Sequence, residues 1–326
     1  SSTYFNCQKT KYTMERANQT EVTEFILMGF SLQTLLFLLF LVIYIVTMVG
    51  NILILALVVS VQNLRTPMYF FLGNLSCLET CYTSIILPRL LSSFLTGNKT
   101  ISVTACFVQF YFFGCLGATE CFLLSAMSYD RYLAICKPLY YITRMNDRFC
   151  LQLATGSWVS GSIAMATLTV LLSQLTFCDS NGIDHFFCDF TPIIKLSCSD
   201  THRLEVTAFI SSSIFTLPPF LLTLASYIHI IAAILRIPST TGRQKAFSTC
   251  SSHLSVVTIY YGSLIIVYML PDTNRLRSLN KVFSVFYTIL TPLVNPLIYS
   301  LRNNAVKEAL RKLFARRSHR GKQPLR

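Results

Sequence analysis

Long runs without a single charged residue are the feature that most limits what this chain can become. No Asp, Glu, Lys or Arg occurs from Ser31 to Leu64, Phe149 to Cys178, Val206 to Leu235, Ala246 to Pro271 or Val282 to Leu301. A helix crossing the hydrocarbon core of a bilayer needs about 20 mostly apolar residues, and each run reaches that length. Two more stretches carry one acid each: Thr66 to Pro88 holds Glu79, and Ile101 to Tyr129 holds Glu120. Seven spans are therefore expected, over residues 34–59, 67–90, 103–135, 149–172, 204–236, 246–270 and 281–301. Lipid offers backbone groups no partner, so closed helices are the default. The alternation of a membrane β-barrel is missing. The expected fold class is an all-α membrane protein, a seven-transmembrane helix bundle with a short amphipathic C-terminal helix. Residues 1–33 form an extracellular N-terminal segment, 34–301 the membrane domain and 302–326 a cytoplasmic basic tail. No apolar signal segment precedes Ser31, so the first span is expected to direct insertion, and Met14 reads as an alternative start.

Charged residues make up 13% of the chain, against roughly 25% in soluble domains. The net charge of +13 could suggest nucleic acid, but Lys and Arg sit at the ends of the apolar runs. A nucleic-acid partner is therefore not expected. Seven spans put the termini on opposite sides. The side holding the tail carries 17 Lys and Arg and the other 10, with Arg89 counted at the outer end of the second span. Positive residues favour the inside, so the C-terminus is expected in the cytoplasm and the N-terminus outside. The basic tail then faces anionic membrane lipid and a cytosolic partner. Within it, Ala305 to Arg317 places Val306, Leu310 and Phe314 four residues apart, an amphipathic helix for the inner leaflet. Asn18 begins a glycosylation sequon on the outer side. A second sequon at Asn98 lies close to the membrane, and a third at Asn74 lies inside a span and is discounted.

Of twelve cysteines, Cys77, Cys81, Cys115, Cys121, Cys136, Cys150 and Cys250 lie in or near spans or on the inner side, where free Cys behaves as a small hydrophobe. The outer loop 173–203 carries Cys178, Cys188 and Cys198, and Cys106 tops the third span. Four cysteines on an oxidising side suggest two disulfides, with three pairings open. A metal site with His185 and Asp189 is the rival, weakened by spacings far from CxxC.

Acids at membrane depth are costly and mark functional sites by default. Arg131 follows Glu120 by 11 residues, three turns on, so the third helix has one inward stripe: Cys106, Phe113, Gly117, Glu120, Leu124 and Arg131. Glu79 falls at the depth of Glu120, and Asn51 and Asn295 also lie well inside their spans. The four are expected to form one polar cluster, which glues helices together at the least. Asp130-Arg131-Tyr132 ends the third span. Asn295-Pro296-Leu297-Ile298-Tyr299 sits in the last, where proline opens a hinge. Each motif is weak alone. The ordered set of Gly50-Asn51, an acid in span two, DRY, Trp158 and NPxxY is strong.

With that set the sequence resembles the rhodopsin-like G-protein-coupled receptors, and within them the olfactory receptors. The likeness is close at Pro67-Met68-Tyr69-Phe70-Phe71-Leu72, along Met127 to Leu139, at Ser226-Tyr227, along Lys245 to Leu254 and along Pro292 to Asn303. The resemblance implies disulfides Cys106–Cys188 and Cys178–Cys198. It also implies coupling to the olfactory-type stimulatory G protein and onward to adenylyl cyclase, and a plasma-membrane location. The family usually has Asp where this chain has Glu79, which bears on a sodium ion held by Glu79 and Glu120, the one cofactor in view. Amine receptors of the superfamily use an acid on the third helix where this chain has Phe112, Phe113 and Gly114, so a cationic ligand is disfavoured. Retinal proteins need a lysine midway along the last span, where Phe286, Tyr287, Thr288 and Ile289 stand. The outer halves of the spans offer Phe113, Gly114, Gly117, Ala118, Ser211, Ser212, Phe215, Tyr261, Leu264, Tyr268, Val285 and Thr288. They make an apolar pocket with a few hydroxyls, suited to a small neutral volatile molecule with one hydrogen-bonding group. Activation is expected as a shift between two helix packings. Its inner partners are Asp130, Arg131, Tyr132, Tyr227, Lys245, His253, Asn295, Pro296 and Tyr299. Two rivals fit less well. A transporter usually shows paired repeats, and an intramembrane enzyme needs a catalytic context that Glu79 and Glu120 lack.

Overall fold

The computed structural model describes residues 24–27, 33–178, 182–183, 185–269, 282–302, 306–308 and 311. Its helices are α1 (Gln33–Ser60), α2 (Pro67–Thr96), α3 (Val103–Cys136), the short α4 (Pro138–Arg144), α5 (Asp147–Leu172), the short α6 (Phe190–Ile194), α7 (His202–Leu235), α8 (Thr240–Leu264) and α9 (Thr291–Arg302). Two π-helical turns interrupt the pattern. One, Ile265–Met269, continues α8, and the other, Phe286–Leu290, leads into α9. The architecture is that of an all-helical membrane bundle. Five helices are long and apolar enough to cross a bilayer, and α8 with its continuation makes a sixth, bent by 47° between Thr240–Ser248 and His253–Val267. The seventh stretch, Val282–Ile298, is apolar but shorter.

Local sequence sets the ends. α2 opens on Pro67, whose fixed φ suits the first helical position, and stops at Gly97, which takes the left-handed φ of 69°. Side chains cap four other starts, Asp189 Oδ1 at α6 accepting from Phe190 N at 2.8 Å. Ser102 Oγ accepts from Ala105 N at 3.2 Å, Asn146 Oδ1 from Phe149 N at 2.9 Å and Ser239 Oγ from Gly242 N at 3.3 Å. The main departures from expectation are the outer end of α2, which runs six residues past 90 to Thr96, and the start of α8, which lies six residues before 246 at Thr240. The span rule halts near a charge, whereas a helix continues while its backbone is bonded and its side chains are packed.

α3 is the central rod, packed against α2, α5 and α7, while α1 leans on α2 and α9. Gly161 lets α5 close on α3: a Cβ there would stand 2.6 Å from the Cys115 carbonyl oxygen. Gly50 does the same for α1, where a Cβ would meet Pro296 Cβ at 3.0 Å. The main core gathers Phe71, Leu75, Leu78, Leu123, Leu124, Tyr260 and Tyr287. A second core at the outer end surrounds Cys106, Cys188 and Ile193, and a third joins Tyr227, Ile230, Ile234 and Cys250 at the inner end. The outward faces are apolar as well: Leu38, Val42 and Ile45 on α1 and Phe209 and Ile214 on α7 are exposed. Three short strands, β1 (Glu24–Leu27), β2 (Thr100–Ser102) and β3 (Gly182–Ile183), form a small sheet in the order β2-β1-β3, antiparallel then parallel. Of the expected amphipathic tail helix, Val306 is buried while Lys307, Glu308 and Arg311 are exposed; Leu310 and Phe314 lie outside the described residues.

Candidate functional site

In the outer half, aromatic rings from four elements meet. The Phe113 ring centroid lies 5.0 Å from that of Tyr82 on α2, 4.6 Å from Phe187 in the outer loop and 6.0 Å from Tyr287 before α9. Phe187 in turn meets His185 edge-on at 4.5 Å and Phe186 at 5.0 Å. Such tilted contacts are favourable for aromatic quadrupoles. Phe215 on α7 meets Phe122 at 6.0 Å, and Phe220 meets Tyr261 at 5.2 Å. Gly117 is open towards α8, with only Tyr260 Oη within 4.0 Å of an added Cβ, whereas a Cβ on Gly114 would strike Met165 of α5 at 2.4 Å. Gly114 therefore lies against Met165 of α5, where a side chain would collide. A helix shows different faces at consecutive positions, and the inward stripe passes through Phe113 and Gly117. Ala118 and Ser211 are half-buried, and Leu264 and Val285 pack against the main core. Thr288 is buried and bonds Ser284 O at 2.6 Å. Ser212 is exposed, and the side chain of Tyr268 lies outside the described residues.

The outer loop is fixed over this half. Cys106 is joined to Cys188 and Cys178 to Cys198, with Cα separations of 5.5 and 6.0 Å. These are the pairs the resemblance implies. The sulfurs are thereby used, and no group of three metal-ligating side chains is found among the described residues. Gln109 adds a clasp: Cys188 N donates to its Oε1 at 3.0 Å, and its Nε2 donates to Ile85 O on α2 at 3.2 Å.

Near mid-membrane, Asn295 Nδ2 donates to Glu79 Oε1. Asn51 Nδ2 donates to Thr47 O at 3.2 Å and to Pro292 O at 3.3 Å, tying α1 to α9. Glu120 Oε1 and Asn51 Oδ1 are buried and have no hydrogen-bond partner. Carboxylate and amide oxygens are what a hard cation such as sodium takes as ligands, so the residues present fit such an ion. Above this level two adjacent tyrosines bind α8 to α3, Tyr260 Oη donating to Gly117 O at 2.7 Å and Tyr261 Oη to Cys121 O at 3.0 Å.

At the inner end the polar groups form two closed sets. Arg131 Nε donates to Asp130 Oδ2 at 2.9 Å and its Nη2 donates to the same oxygen. Tyr141 Oη on α4 donates to Asp130 Oδ1 at 3.1 Å. Burial, and then the neighbouring Asp130 charge, push the Tyr141 phenol up, so it remains a donor. Separately, Tyr227 Oη and His253 Nδ1 share a hydrogen bond of 2.6 Å. Tyr132 packs between Tyr129 and His229. Pro296 meets α1 at Gly50. The side chains of Lys245 and Tyr299, and all of Asn18, lie outside the described residues. Trp158 Nε1 donates to Asn74 Oδ1 at 3.3 Å, and Asn74 Nδ2 donates to Phe70 O at 3.0 Å, so that sequon asparagine is engaged inside the bundle.

Tyr82, Phe187, Tyr287, Tyr260 and Gln109 stand beside the residues expected from four spans and were not among them. A signal existed for two of them. Tyr82 lies three residues, nearly one turn, from Glu79, and Phe187 precedes a disulfide cysteine. For Tyr287 the residue was read only for what it is not.

Comparison with known proteins agrees with this architecture. A family model described as "Olfactory receptor" matches residues 40–317. Human olfactory receptor 11L1 is 50% identical over 308 residues, covering 93% of this chain and 96% of that protein. Human olfactory receptor 6B1 is 50% identical over 305 residues, with 92% and 97% covered. Rat olfactory receptor 1f45 is 46% identical over 308 residues, with 93% and 98% covered.

Proposed function

Because the chain belongs to the olfactory receptor family, we propose that it binds a small, mostly apolar volatile ligand in the outer half of its helix bundle and activates a stimulatory, olfactory-type G protein, raising cAMP. It is a receptor and not an enzyme, as its relatives are. One observation carries the reading: a single helix, α3, holds Phe113 among the outer aromatics and Arg131 in the inner pair with Asp130. A ligand that favours a different packing at the first can bias the second, and it shifts the equilibrium only by its preference for that packing.

The two closed inner sets describe the resting arrangement. In the active one Arg131 leaves Asp130, and Tyr227 leaves His253, to meet the G protein. The ligand contacts are Phe113, Gly117, Ala118, Ser211, Phe215, Tyr261, Leu264, Tyr268, Val285 and Thr288, together with Tyr82 and Tyr287. The protein sits in the plasma membrane with its N-terminus outside, glycosylated at Asn18, and its basic tail lies against anionic lipid. A sodium ion held by Glu79 and Glu120 would supply positive charge between two buried carboxylates and favour the resting packing. Agonist potency that is the same in sodium and choline media would remove the ion from the scheme.

Arg131→Ala tests the whole reading. Cells expressing it at the surface should give no odorant-driven cAMP while the unmodified chain responds. Equal responses would overturn the assignment of Arg131, and with it the coupling route.

A further inference from the structure

Arg89 is a half-buried charge that the receptor scheme leaves unused. By apolar count it falls at the outer end of the second span, where an arginine reaches water unaided. In the structure α2 continues seven residues beyond it, to Thr96, so Arg89 lies about 10 Å inside the helix end. Its side chain starts back along the helix. Cα–Cβ bonds tilt towards the helix N-terminus, which for α2 is the Pro67 end, at the far side of the bundle. Arg89 also follows Tyr82 by seven residues, two turns, and so shares its face. That face is the one whose Tyr82 ring meets Phe113.

Arg89 Nε and Nη2 are both buried, and neither has a hydrogen-bond partner. A guanidinium carries a positive charge and offers donors only, with no acceptor. It needs an anion. The two orphaned nitrogens make up the side-on edge of the guanidinium, whose parallel N–H bonds match the two oxygens of a carboxylate. The same chain shows what this edge does when an acid is at hand: Arg131 uses Nε and Nη2 to grip Asp130, the one ion pair among the described residues.

We propose that Arg89 is the ligand's polar anchor and that the ligand carries a carboxylate: a small organic acid whose chain lies among Tyr82, Phe113 and Tyr287 while its acid group rises to Arg89. This rests on the receptor reading and deepens it, replacing the neutral hydrogen-bonding group expected from sequence by an anionic one. A carboxylate there completes the bonds of two guanidinium nitrogens already out of solvent, so part of the cost of desolvating them is met before the ligand arrives.

The test is a cAMP assay on surface-expressed receptor, with straight-chain acids from butanoic to decanoic acid, each beside its alcohol, aldehyde and methyl ester. The same panel is applied to Arg89→Gln and Arg89→Lys, and surface level is read by staining. Acids should be the most potent members of the panel. Arg89→Gln should weaken them about tenfold or more, the scale of a hydrogen bond to a charged group, and leave responses to neutral odorants in place. Arg89→Lys, which keeps the charge but loses the fork, should fall between the two. Responses to neutral odorants alone, unchanged in both variants, would overturn the acid anchor and leave the receptor reading standing. A surface-expressed chain that answers nothing, beside a control receptor that responds in the same cells, would overturn both.

Discussion

Asp130 is fully buried and bonded on both oxygens, by Arg131 on one and by Tyr141 on the other. In the proposed resting state Tyr141 would therefore latch the pair. Removing its hydroxyl takes away one hydrogen bond to a charged group, worth about 1 kcal/mol at this half-buried site. Tyr141→Phe should raise basal cAMP by roughly fivefold, the ratio that such an energy sets. A basal level equal to that of the parent would show that Tyr141 does not hold the resting state. Gly161 allows a second prediction with a built-in control. A side chain there meets the Cys115 carbonyl at 2.6 Å, backbone that cannot swing aside, whereas nothing lies within 4 Å of Gly156. Gly161→Val should cost about 1–3 kcal/mol of stability through overpacking. It should melt earlier in detergent, while Gly156→Val should melt with the parent. Equal melting of the two would refute the close α3–α5 approach.

The outer loop, α2 and α3 act together through Gln109, whose amide spans from Ile85 O to Cys188 N. Gln109→Leu would leave the buried Cys188 N–H unpaired, at about 1–3 kcal/mol. The disulfide still tethers the loop, so the fold should survive and Phe187 should lose its fixed place over Phe113. Agonist potency should drop about tenfold with the maximal response retained; a lower maximum at constant potency would point to the inner end instead. Much of this assembly was legible in the sequence, and the reason is periodicity. The stripe from Cys106 through Phe113 and Glu120 to Arg131 follows from spacing alone, and the start of α2 follows from Pro67. What stayed hidden depends on partners distant in the chain. Tyr82, Phe187 and Tyr287 come from three elements, and no local pattern says that their rings meet at Phe113. The depth of Arg89 was lost because a count of apolar residues stops at a charge. The π-helical turns at Ile265–Met269 and Phe286–Leu290 carry no residue signature. They are one-residue shifts in bonding that packing selects, of a kind often found at functional sites.

A bundle with Leu38, Val42, Ile45, Phe209 and Ile214 facing outward has no stable form in water, because apolar patches of that extent drive association. In lipid the same faces cost nothing, and charge then decides which way the bundle stands. The 17 Lys and Arg on the tail side against 10 on the other favour the proposed orientation, since translocating the richer side is the harder course. The inner groups give that orientation its meaning: Arg131, Tyr227 and His253 lie at the tail end of the bundle, and the disulfides and the small sheet lie at the opposite end. A reversed molecule would present its disulfide cysteines to reducing cytosol and its coupling face to the outside. Two measurements therefore stand or fall together. After alkaline carbonate extraction the protein should remain with the membrane pellet. A tag at the N-terminus should be stained on intact cells, and a tag at the C-terminus only after permeabilisation. Release into the carbonate supernatant would contradict the membrane bundle. Staining of the C-terminal tag on intact cells would place Arg131 on the wrong side for any cytosolic G protein, and would do so even if every helix were correct.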